Sequence, residues 1–235
     1  MNKKTRNLII IGAVVVVVAI LVVAGIFLGK DILDKGKLVK EVETIAKLDI
    51  TKDKFDTEIK TSGNYGKVES AIKEYFNEYA DNLQTSMNAI SEEKLQGIMS
   101  DSNFQGEDKK FEKVLQDIKE TREAFNGGMD KLIAQMEETN IMAKIEEKGV
   151  SKKYQDLYRE LMFDKNIMDQ VKEQQEQLKK SKDDLNKILD LNEKVYQLLA
   201  ANSGKWSFQN GKLRFSDEGV YNQYNDIMKE ADSLN

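Results

Sequence analysis

The stretch 145–151, Ile-Glu-Glu-Lys-Gly-Val-Ser, decides how this chain folds. Gly149 suits the left-handed position that ends a helix, and Val150 can then contact Ile145 in a Schellman arrangement. Ser151 is a good cap for a following helix. On each side lies a long run with apolar residues spaced three and four apart. The first arm, 107–148, carries Phe111, Leu115, Ile118, Phe125, Met129, Leu132 and Met136, interrupted at Arg122. The second, 151–202, carries Tyr154, Leu157, Leu161, Met168, Val171, Leu178, Leu185, Leu189, Tyr196 and Leu199. Its gaps fall at Asp164, Gln175, Lys182 and Asn192. Two such runs about one glycine predict a long antiparallel, coiled-coil-like helical hairpin over 107–202. Folding at Gly149 sets Leu132 near Ile167 and Leu115 near Asp184 and Leu185. It also turns Gly127 and Gly128, a helix-weakening pair, towards Val171.

Downstream, 205–215 is the one β signal. Asn210-Gly211 is the favoured two-residue hairpin turn. Counting outwards pairs Phe208 with Leu213 and Trp206 with Phe215. All four then share one face, with Ser207, Gln209, Lys212 and Arg214 on the other. An isolated hairpin is marginal in water, so this apolar face either caps the ends of the long helices or receives a partner. Trp206, Phe208, Leu213 and Phe215 are therefore the interaction candidates. Ser216 is read as the cap of a last helix over 217–234.

Upstream, Val68, Ala71, Ile72, Tyr75, Tyr79, Leu83 and Met87 mark a buried helical stripe over about 67–90. A shorter helix follows over 91–99, with Ser91 as its cap and Glu92 and Glu93 in its first turn. Residues 100–106 read as a loop, and residues 29–66 as a juxtamembrane helix or stalk. That name follows from residues 8–28, which are 21 apolar residues without a charge. As a helix they span roughly 31 Å at about 1.5 Å per residue, close to the roughly 30 Å hydrocarbon core of a bilayer. The run is longer than a signal-peptide core, and no small-residue cleavage pattern closes it. The expectation is an uncleaved single-pass anchor. Lys3, Lys4 and Arg6 put the short tail 1–7 in the cytoplasm and 67–235 outside.

Composition narrows the function. The net charge is −5; the tail supplies +3 and the apolar run none, which leaves the remainder at −8. An acidic body lacks the basic footprint of a nucleic-acid-binding protein. The chain has no Cys, His or Pro, so packing alone must stabilise it, and the commonest general base and metal ligand is absent. Little Cys with abundant Lys and Asn points to a bacterial surface protein. Two motifs touch chemistry. Ser91-Glu92-Glu93-Lys94 matches the S-x-x-K of serine acyl-transfer enzymes, without the companion S-D-N and K-T-G elements. Asp101, Asn103, Gln105 and Glu112, around Gly106, follow the calcium-loop template except at Gln105. Lys109 and Lys110 beside it favour a plain loop entering a helix. Met136, Met142, Met162 and Met168, with Tyr154, Tyr158 and Phe163, read as core rather than as a ligand groove.

The expectation is thus a membrane-anchored, extracytoplasmic helical module with a structural or protein-interaction role in the cell envelope. It would work without catalytic residues, cofactor or metal, and would have a protein partner. The alternatives are an anchored binding protein for a lipid, peptide or ion and, third, an enzyme.

Overall fold

A computed structural model describes residues 33–45, 48, 56–106, 108–163 and 165–234. The tail 1–7 and the apolar run 8–28 lie outside the described residues. Among the described residues no helix is long and apolar enough to cross a membrane. The described residues are mainly helical, with one antiparallel two-stranded sheet among them. In order come α1 (Leu33–Ile45), α2 (Gly63–Ala89), α3 (Glu92–Ile98), α4 (Ser102–Gln105), α5 (Glu112–Gln135), α6 (Glu138–Glu146), α7 (Lys152–Met162) and α8 (Lys165–Ala201). Then follow β1 (Trp206–Gln209), β2 (Lys212–Phe215) and α9 (Glu218–Asp232). Two compact units share the chain. One holds 33–86 and 127–179, the other 87–126 and 180–234.

In the first unit α1, α2, α6 and α7 bury one core. Leu38, Val42 and Ile45 of α1 meet there with Val68, Ala71, Ile72 and Tyr75 of α2. Ile141, Met142 and Ile145 of α6 and Leu157, Tyr158 and Leu161 of α7 complete it. Every set has the three-and-four spacing that aligns side chains on one helical face. The segment read as a stalk therefore contributes a helix to this core. Tyr158 is buried, and its hydroxyl donates to the Ile141 carbonyl at 3.0 Å. Gly149 takes φ +60°, as a glycine ending a helix does, and Val150 is buried in the same core as Ile145. Ser151 precedes α7 in extended conformation, without a side-chain capping bond.

Each long arm is broken once. The first stops at Gln135 and resumes at Glu138; the second stops at Met162 and resumes at Lys165. The Asn140 side-chain amide donates to the Ala134 carbonyl at 2.6 Å, satisfying a backbone acceptor near the end of α5. These breaks correct the expected register. Near Gly149, Arg159 pairs with Glu138, as a single fold there requires. Past the breaks Gln175 donates to the Ile133 carbonyl at 3.2 Å, which sets Gln175 beside the Leu132 end of α5; the side chain of Ile167 lies outside the described residues. In the second unit Asn126 and Asn186 exchange two amide hydrogen bonds at 3.2 and 2.9 Å. Arg122 reaches Asp190 at 2.6 Å and Glu193 at 2.9 Å, so Leu115 lies beyond Leu185. Gly127 and Gly128 leave α5 unbroken. Gly128 faces Ser86 of α2 rather than Val171, so closely that an added Cβ would stand 2.2 Å from the Ser86 hydroxyl.

The β-hairpin forms with Trp206 opposite Phe215, Ser207 opposite Arg214, Phe208 opposite Leu213 and Gln209 opposite Lys212. Asn210 and Gly211 both take positive φ, 52° and 70°, as the tight turn demands. Ser216 closes the hairpin base by donating its amide to the Lys205 carbonyl at 2.9 Å. The cap of α9 is Asp217, whose carboxylate accepts from the Val220 amide at 3.0 Å. A carboxylate at a helix start is favoured by both the free amides and the dipole.

Candidate functional sites

The hairpin face docks on its own unit. Trp206 is 8 % exposed, donates its indole N–H to the Leu199 carbonyl at 2.7 Å and stacks on Phe111 at 5.8 Å. Phe208 stacks on Phe104 at 5.5 Å. Tyr196 lies against both Phe104 and Phe111, which makes the five rings one cluster. The Lys109 ammonium sits 4.9 Å from the Trp206 ring centroid, within cation–π range. Phe215 turns to Tyr221 and Tyr224 of α9 at 5.8 and 5.1 Å. Leu213 and Phe215 stay half-exposed. Of the two fates open to this face, Trp206 takes the capping one. Burial pushes the Tyr196 hydroxyl up to about 12, partly offset by a hydrogen bond from Asn103.

Of the calcium-template residues, Asn103 has its side chain engaged by neighbouring oxygens. Residues 102–105 form one helical turn, α4. The Asn103 side-chain amide donates to the carbonyls of Gly97 and Ile98 at 2.8 and 3.1 Å and to the Tyr196 hydroxyl at 3.1 Å. Asp108, outside the template, accepts from the amides of Lys110 and Glu112 at 2.9 and 3.0 Å. These bonds bracket Phe111, which takes φ +56° at the start of α5. Among the described residues no group of three or more carboxylates could hold a metal ion.

The S-x-x-K residues lie on a shallow cleft of about 370 Å³, shared with Glu93, Gly97, Lys113, Asp117, Glu120 and Thr121. The Ser91 hydroxyl makes no capping bond. Lys113 is taken by Asp117 at 2.6 Å. The cleft is lined by charges of both signs, with no His anywhere in the chain to act as base.

Sequence reading missed the most concentrated polar constellation, an ionic cluster in the first unit. Glu69 and Lys73, at 1 % and 2 % exposure, pair at 2.8 Å on one flank of α2. Glu69 also accepts from the Lys60 amide at 3.0 Å, the Thr61 amide at 2.8 Å and the Thr61 hydroxyl at 2.7 Å. Lys73 donates to the Glu58 carbonyl and pairs with Glu41 of α1 at 3.2 Å. Lys60 reaches Glu41 at 3.1 Å and Asp56 at 2.9 Å. Burial pushes the Glu69 carboxyl up, but Lys73 and the bonds from Lys60 and Thr61 outweigh it and hold it below its ordinary 4.5. In sequence the signal was only an i,i+4 Glu-Lys pair, which reads as a solvated helix face. That Val68 and Ile72 immediately precede its two members was the available hint of burial.

Comparison with family models, with curated proteins and with solved structures found no match.

Proposed function

We propose that the chain is a single-pass membrane protein whose helical body lies outside the cytoplasm and serves a structural or protein-interaction role in the cell envelope, without enzymatic activity. The observation that carries this is the 21-residue uncharged apolar run 8–28 behind the basic tail Lys3, Lys4 and Arg6. Its length fits a bilayer core and its flank fits a cytoplasmic N-terminus. The acidity and helical content of the remainder fit a water-exposed body. The arms 107–148 and 151–202 act as a long antiparallel helical hairpin, broken once on each side. Arg122 against Asp190 and Glu193, together with Asn126 against Asn186, supports opposed chain directions.

Topology is the direct test. Protease added to intact protoplasts should digest the body and leave a fragment containing 8–28 in the membrane. Full protection, or a mature N-terminus beginning after Gly25, would refute the anchor. Crosslinking in native membranes followed by mass spectrometry should then give a reproducible protein neighbour.

A further inference from the structure

We infer that α1 and the strap 56–61 can leave the body of their unit together, and that the buried Glu69–Lys73 pair is the latch that holds them. The strap has no secondary structure, and its residues 56–60 are exposed. Apolar burial therefore contributes little to fixing it. Its anchorage is polar and converges on two side chains. Glu69 takes the Lys60 amide and the amide and hydroxyl of Thr61; Lys73 takes the Glu58 carbonyl. The same ammonium extends to Glu41, on the helix that precedes the strap. Lys60 makes a second link between strap and α1 through Glu41. Two elements, the strap and α1, are thus tied to one ion pair that α2 carries by itself, as residues i and i+4 of the same helix.

The asymmetry is what makes a latch. A buried pair is stable while both charges are present, and loss of one leaves the other desolvated and uncompensated. Glu69 and Lys73 remain on α2 in either state, so opening moves the strap and α1, not the pair. Residues 56–61 would gain water for their amides, while α1 would lift Leu38, Val42 and Ile45 from the core. If residues 8–28 anchor the chain as proposed, α1 is the first described helix to bear any pull from the membrane. That link alone rests on the proposed function, and the test below does not use it.

Hydrogen exchange of the full chain in detergent, read by mass spectrometry on peptides covering 33–45 and 56–61, tests the latch. Glu69→Gln should speed exchange in both segments by about a hundredfold to a few thousandfold, the range that follows from the cost of breaking a buried pair. Peptides from α6 and α7 should be unchanged. Glu41→Gln, a milder lesion at the edge of the cluster, should speed exchange in 33–45 more than in α6 and serves if Glu69→Gln does not fold. The decisive variant is Glu69→Leu with Lys73→Met, which removes both charges at similar volume. A pair that merely stabilises the unit predicts protection restored everywhere. A latch predicts α6 and α7 protected as in the parent while the Lys60 and Thr61 amides stay fast. Uniform change across the unit, no change in any variant, or recovery of the strap in the double variant would overturn the inference.

Discussion

Replacing each of two adjacent glycines by alanine should move stability in opposite directions. Gly127 and Gly128 both lie inside α5. A Cβ built on Gly127 has no neighbour within 4 Å. Gly127→Ala should therefore deliver the helix-propensity gain alone, about 1 kcal/mol. Gly128→Ala has the same gain but meets α2. Its Cβ would stand 2.2 Å from the Ser86 hydroxyl and 3.2 Å from both Cα and Cβ of Ser86. Rotating the hydroxyl away would break its 2.9 Å bond to the Asn82 carbonyl, a loss of about 1 kcal/mol. The 3.2 Å contacts cannot be relieved by rotation, so the helices must part slightly, an overpacking cost of about 1–3 kcal/mol. The net for Gly128→Ala is a destabilisation of about 1–3 kcal/mol once the propensity gain of about 1 kcal/mol is subtracted. Denaturant melts followed by circular dichroism measure both. Ser86→Gly in the Gly128→Ala background removes the hydroxyl and Cβ contacts, so the pair should show a favourable coupling of about 1–2 kcal/mol in a double-mutant cycle. Stabilisation by Gly128→Ala like that by Gly127→Ala, or a cycle without coupling, would refute the close approach of α5 to Ser86.

Trp206→Ala should cost about 3–5 kcal/mol, the range for truncating a large buried aromatic. Because Trp206 is the single tryptophan, its emission in the folded parent should be blue-shifted and poorly quenched by acrylamide; a readily quenched emission would contradict the docking. Asn126→Ala should cost about 1–2 kcal/mol by leaving Asn186 without its reciprocal partner, whereas leucine at both positions should cost less or nothing while loosening register, read as broadened NMR lines in α5 and α8. Acid should act through Glu69. Its folded pKa lies below the ordinary 4.5, so its contribution is fully present above that value and is lost as pH falls through the folded pKa. Glu69→Gln should flatten that acid limb in a pH series of melts, and an unchanged limb would rule the group out.

What was legible in the sequence was mostly local. The β-hairpin register follows from Asn210-Gly211 and the alternation around it, because a turn requiring two positive φ values leaves few pairings. Docking of Trp206 near Leu199 is likewise short-range. The hairpin's other partners were not legible: Phe104, which stacks on Phe208, and Phe111, which stacks on Trp206, are about a hundred residues away, the first in a stretch read as a loop and the second read simply as an apolar position. The calcium template takes no account of hydrogen-bond direction. It scores Asn103 as an oxygen ligand, but an amide has a donor end too, and here that end meets three oxygens. The spacing of Leu38, Val42 and Ile45 marked an apolar helix face without naming what it covers, so nearness to residues 8–28 suggested a stalk.

The register of the long arms was lost for a different reason, and it generalises to any helical hairpin read from heptads. A single hinge at Gly149 fixes every pairing along both arms, because both helices advance about 1.5 Å per residue. That rule holds close to the hinge, where Tyr158 meets Ile141 and Arg159 meets Glu138. It fails once Ile133 meets Gln175, because the breaks after Gln135 and Met162 let each arm change direction and pair afresh. Neither break carries a proline or a glycine. Asn140 supports the first by bonding Ala134, a role that a mid-run asparagine does not advertise. What then holds the second-unit register is polar: Arg122 between Asp190 and Glu193, and the paired amides of Asn126 and Asn186. Apolar contacts tolerate a slip of one turn far better than these bonds do. Arg122, which reads as an interruption of the heptad, is therefore one of the residues that fixes how the heptads meet.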